Sequence, residues 1–135
     1  MVQQSRKASR RSGDEVVHPV KGGEYIRRGA LCLLDGDGNA VAGKEVADLT
    51  VAGICQETID NRTGSDGMHR GVFSRGRDLH FLSNDNANPV LRQHLNKPCY
   101  VVNDETVSSS HNNNARSEAG IARDVTSSGV FVEFV

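Results

Sequence analysis

At 135 residues the chain fits one domain, and a domain of that length buries roughly two-thirds of the surface its unfolded form exposes, so a core needs no disulfide or metal staple. Apolar residues are 36% of the chain and aromatics 4%, with no tryptophan, which limits the core to Val, Leu, Ile and a few Phe and Tyr. A net charge of −1 excludes a global basic field for nucleic acid and an acidic field for a basic partner.

Arg6, Lys7, Arg10 and Arg11 stand ahead of the first acid, Asp14, and make a basic arm. Residues 1–17 are polar, serine-bearing and aperiodic, and they read as a flexible arm ahead of a domain at 18–135, with order starting near Val16-Val17 or Tyr25-Ile26. A signal peptide would need an apolar run where Ser12-Gly13-Asp14-Glu15 stand, which points to cytoplasmic synthesis. No apolar run approaches the length needed to span a bilayer.

The run Ala30-Leu31-Cys32-Leu33-Leu34 is continuous and predicts a strand buried on both faces. It breaks at Asp35-Gly36-Asp37-Gly38-Asn39 and resumes at Ala40-Val41-Ala42, a hairpin signal. Leu49–Cys55 predicts another strand, leading into the turn-rich loop Asp60–Gly67. Arg70–Ser74 and Asp78–Ser83 read as a strand pair around Arg75-Gly76-Arg77, with Leu79 and Phe81 on one face of the second strand and His80 and Leu82 on the other. A helical turn is expected only between Asn84 and Lys97.

Cys99–Val102 meets the turn Asn103-Asp104-Glu105, a polar stretch runs from Ser108 to Ser117, and Gly120–Val125 and Gly129–Val135 read as closing strands. About eight short strands, with turn signals roughly every 8 to 14 residues, predict an all-β domain: a small sandwich, jelly roll or barrel.

Catalytic and metal motifs fail on inspection. Asp35–Asn39 has calcium-loop residues at its first, third and fifth positions, but the sixth is Ala40 and the twelfth Val46, with Glu45 one residue out of register. Cys32, Cys55 and Cys99 are widely spaced in apolar company and read as buried small hydrophobes rather than as a disulfide framework or zinc site. His18, His69, His80, His94 and His111 form no ligand pair, and no G-x-S-x-G elbow is present. Gly64, Gly67 and Gly71 lack the strand and helix of a phosphate loop, and Asn61-Arg62-Thr63 matches a glycosylation acceptor with no secretion to use it. The expectation is a non-enzyme without cofactor. The basic arm is read either as a solvated tail or as a segment that orders on an acidic partner surface; no aromatic interleaves its charges to stack bases.

The order of the pieces then carries a family resemblance. An Asp-Gly hairpin follows a Leu-rich strand; Val51-Ala52-Gly53-Ile54 leads to Ile59-Asp60-Asn61 and Thr63-Gly64-Ser65-Asp66-Gly67; Arg70-Gly71-Val72-Phe73 follows. Asn96–Val107, Arg116–Gly120 and the closing Gly129-Val130-Phe131-Val132 complete the series. Over about residues 22–135 this resembles the capsid decoration, or cement, proteins of tailed bacteriophages.

The resemblance implies a β-rich module, made in the bacterial host cytoplasm, that sits as a homo-oligomer, dimer or trimer, on the outer capsid surface of the virion. There it would bind the major capsid protein and lock neighbouring subunits. Such a role needs a rigid scaffold with exposed edges and loops, and many copies multiply a modest contact energy. Contacts are expected from Arg6, Lys7, Arg10, Arg11, Val16, Val17 and Tyr25, from Asn61 and Arg62 in the first loop, from the loop Ser108–Ser117, and from Arg70, Arg75 and Arg77.

Two alternatives belong to other classes. A glycan-binding or host-attachment module would present exposed aromatics, whereas Tyr25, Tyr100 and the four phenylalanines are expected mostly in the core. A nucleic-acid barrel would need a basic face beyond the arm, for which Arg70, Arg75 and Arg77 are the dense candidates, and the composition argues against it.

Overall fold

The computed structural model describes residues 14–76 and 78–135; its regular structure is all β apart from a 3-10 turn at Arg92–His94. In chain order the strands are β1 (Glu15–Pro19), β2 (Tyr25–Ile26), β3 (Leu31–Leu34), β4 (Ala40–Ala42), β5 (Thr50–Cys55) and β6 (Ile59–Asp60). They continue as β7 (Arg70–Ser74), β8 (His80–Asn84), β9 (Pro98–Val101), β10 (Thr106–Ser108), β11 (Glu118–Thr126) and β12 (Gly129–Glu133). One sheet has the order β1-β7-β5-β3-β4, the second closes into a barrel in the order β10-β8-β12-β11-β9, and β2 pairs with β6 as a small ribbon.

The continuous apolar run of β3 explains how the halves join. Leu31 and Leu33 share a buried cluster with Val51 of β5 and with Leu82, Val101, Val107, Val130 and Val132 of the barrel. Cys32 turns to the opposite face and joins Val20, Ile26, Ala52, Cys55, Ile59 and Phe73. A strand with apolar partners on both faces has no polar side to alternate with. Fully burying a ring such as Phe73 contributes roughly 2–3 kcal/mol, so these two clusters carry most of the fold.

Turn chemistry fixes the connections. At the β3–β4 hairpin, Asp35 Oδ1 accepts the N–H groups of Asp37 and Asn39, both at 2.9 Å, and Gly38 takes φ 81°. One carboxylate oxygen is therefore committed to its own turn, and the other meets the Lys21 ammonium at 3.3 Å. In the loop after β10, Asn112, Asn113 and Asn114 occupy the left-handed region in succession, at φ 50°, 55° and 63°, and the Ala115 N–H closes on the His111 carbonyl. Asparagine tolerates that conformation better than other residues bearing a Cβ, which accounts for the Asn run. The ends of this loop are anchored: Ser108 Oγ donates to the Asn88 carbonyl, and Ser117 Oγ to that of Val46.

Three expectations change. Residues 15–17 are not part of a flexible arm, because Glu15, Val16 and Val17 pair antiparallel with Ser74, Phe73 and Val72. Residues 1–13, with Arg6, Lys7, Arg10 and Arg11, lie outside the described residues, as does Arg77. Second, β7 and β8 do not pair: β7 sits between β1 and β5, while β8 crosses into the barrel between β12 and β10. Both inward patterns are satisfied, but by different sheets. Third, twelve strands among the described residues replace about eight, in part because β2 and β6 are two-residue pairings and β10 a three-residue one, too short to give a periodic signal.

Candidate functional site

Tyr25 and Arg62, distant in sequence, meet because Tyr25 of β2 pairs with Asp60 of β6. The Arg62 guanidinium lies 4.9 Å from the Tyr25 ring centroid and is held there by both Asp60 carboxylate oxygens, at 2.9 and 2.8 Å. The same Arg62 contact pulls the Asp60 carboxyl down to about 2. Tyr25 remains 49% exposed, and Met68, farther along this loop, 64%. Exposed Tyr, Arg and Met are residue types enriched in protein interfaces.

Asn61 has a different role from the surface contact expected of it. It is 1% exposed, and its Nδ2 donates to the carbonyls of Val20, Lys21 and Ser65 at 3.1, 3.2 and 3.0 Å. The Gly22 N–H donates to Asp66, and the Gly67 N–H to the Val20 carbonyl, so the loop is fastened along the segment leaving β1. A Cβ at Gly64 would strike the Asn61 side chain, which explains a glycine there. Loop 61–69 is thus pre-organised behind Tyr25 and Arg62.

The other expected contacts divide. Val17 is exposed beside its cross-strand neighbour Val72, at 54% and 37%, while Val16 is half-buried and packs against the cluster around Phe73. Arg70 is exposed at the start of β7. Arg75 is not a free cation: its Nη1 donates to the Val51 carbonyl at 2.6 Å and its Nη2 to the Val135 main-chain oxygen at 2.7 Å, which ties the two sheets. Sequence reasoning missed Val72 and Met68. Alternation could have found Val72, since Phe73 must face inward and its neighbour therefore outward.

The aromatic expectation is also corrected. Phe73 and Phe134 are buried, but Tyr25 and Phe81 are each 49% exposed. Phe81 pairs across strands with Phe131, ring centroids 5.0 Å apart, and its ring lies over Gly129, where a Cβ would contact it at 2.6 Å. An aromatic covering a glycine on the opposing strand protects backbone that would otherwise be bare.

A half-open groove of about 570 Å³ lies between the two sheets, lined in part by Asp48, Arg75, Tyr100, His111, Ser117 and Glu118. Its Ser117 hydroxyl donates to Val46 and accepts from Leu49, and His111 Nδ1 accepts the Asn114 N–H, so neither is arranged as nucleophile or base. The cysteine thiols are internal. Cys55 donates to the Glu57 carbonyl, Cys32 is held protonated by the adjacent Cys55 and by burial, and burial pushes Cys99 up to about 12. No family model, no curated protein and no solved structure matches this chain.

Proposed function

We propose that this chain is a capsid cement protein, which binds the major capsid protein on the outer surface of an icosahedral phage head and stabilises contacts between subunits. The observation that carries the proposal is the Tyr25–Arg62 pair, exposed with Met68 on a loop locked from behind by Asn61. A docking role needs a rigid body with a pre-ordered anchor patch, because ordering the patch at the moment of binding would cost affinity. Binding to the assembled lattice then stabilises it by mass action. Tyr25→Ala combined with Arg62→Ala is expected to weaken co-sedimentation with capsids about tenfold or more, the size of a hot-spot loss, while the fold is retained. Equal binding by that variant would remove the patch from the interface. Truncation at residue 13, which spares β1, tests the basic arm separately.

Exposed Phe81, paired with half-buried Phe131, favours a second reading, glycan binding on the barrel exterior, because sugars stack on exposed rings. It ranks second because Gly129 already accounts for the position of the Phe81 ring. Glycan binding lost in Phe81→Ala would promote it.

A further inference from the structure

The barrel has no edges, and the β4 edge of the other sheet is partly closed by Val20, which bridges Ala40, and by Glu24, whose carboxylate accepts the Ala42 N–H. Among the described residues, the outer edge of β1 has neither cover. Val20 N–H donates to His69 and Arg75 N–H to Asp14, so β1 turns the main-chain groups of alternate residues, His18 and Val16 between them, toward β7. The N–H and C=O of Glu15 and Val17, and the C=O of Pro19, therefore point to the open side. Pro19 occupies a position where no ladder N–H is lost to β7.

We propose that this edge is a self-recognition surface, on which β1 of a second copy of the chain pairs antiparallel about a two-fold axis through Val17. That register uses just the free segment. Val17 exchanges N–H to C=O bonds with Val17 of the second copy, and each Glu15 N–H donates to the Pro19 carbonyl opposite, whose missing N–H limits the pairing without preventing it. On the outward face the exposed Val72 and Val17 of each copy become one apolar row across the junction. Charge complements it. Arg70 lies opposite Pro19 on β7, so the register sets Glu15 of one copy in the same lateral row as Pro19 and Arg70 of the other. Glu15 and Arg70 are both exposed, and no salt bridge engages either among the described residues. An uncovered edge invites pairing, and a two-fold contact closes after one partner, which avoids open-ended association.

The test is sedimentation equilibrium of the purified full chain without capsids, so its outcome is independent of the cement proposal. A reversible monomer–dimer equilibrium is expected in the wild type. Val17→Lys places two cations on the axis, and Val17→Pro removes a donor used only between copies; each should weaken the dimer about tenfold or more, with an unchanged thermal melt at dilutions where the wild type is monomeric. Glu15→Arg should weaken it, and Glu15→Arg with Arg70→Glu should restore it. A monomer at all concentrations, a trimer, or a dimer indifferent to Val17→Lys would overturn the proposal.

Discussion

Asn61 shows how one side chain organises a surface it does not join. Its amide serves carbonyls on both the loop and the segment after β1, and Asn61→Ala would take that shared donor from Val20, Lys21 and Ser65, each of which keeps only its main-chain N–H partner, behind Tyr25 and Arg62. The expected cost is about 1–3 kcal/mol, read as a lower urea midpoint with an unchanged slope. By contrast, Arg27 binds Asp104 and Glu105 but is half-exposed, and solvent screens pairs of that kind so that they contribute little. The thiols give a second check. Cys32, Cys55 and Cys99 are each 1% exposed or less, so a thiol reagent should label none of them in the native protein and all of them in denaturant.

At the scale of elements, β1 and β8 each carry a histidine whose stabilising contribution responds to acid. His18 on β1 packs its ring 5.7 Å from Phe73, and its pKa is lowered, first by burial and then by the Arg75 charge. His80 on β8, stacked 4.5 Å from Phe134, is lowered by burial. A base with a lowered folded pKa favours the folded state when neutral, so this contribution is complete above about pH 6.5 and is lost as pH falls from there toward the folded values. Amide exchange in β1 should therefore rise from pH 7 to pH 5, once corrected for intrinsic rates, and His18→Phe should blunt the rise. The Asp35 turn behaves separately. Its carboxyl is lowered chiefly by the Asn39 N–H, with help from Asp37 and Lys21, so its contribution holds above about pH 3.9 and fades below it.

These elements also mark what the sequence disclosed. The β3 run, the Asp35–Asn39 turn, the shared face of His80 and Leu82, and the closing hairpin of β11 and β12 were legible, because each is a local pattern of alternation, burial or turn chemistry. The separation of β7 from β8 was not, since alternation states which side chain faces inward without saying which sheet supplies the interior. Nor was the edge position of β1, where Val16 and Val17 give a strand signal but no neighbour. Within the candidate site, Tyr25 and Arg62 could be named singly, but their contact depends on β2–β6 pairing between strands of two residues. Asn61 carried a turn signal that hid its burial.

The whole molecule is two β units sharing one strand's two faces, fastened further by Arg27 to the β9–β10 turn and by Arg75 to the main chain of Val51 and Val135. That body presents a fixed Tyr25–Arg62 patch and, among the described residues, an unpaired β1 edge on the first sheet, while the closed barrel lends rigidity. Under the cement proposal such a module gains little from one contact and much from many copies, so its effect should appear in the strength of the shell. The most direct test is to add the purified protein to expanded capsids that lack it, co-sediment the mixture, and compare the rupture temperatures of decorated and bare shells. The cement account predicts saturable binding and a higher rupture temperature, both diminished by Tyr25→Ala with Arg62→Ala. Absence of binding across salt concentrations and capsid maturation states would contradict it.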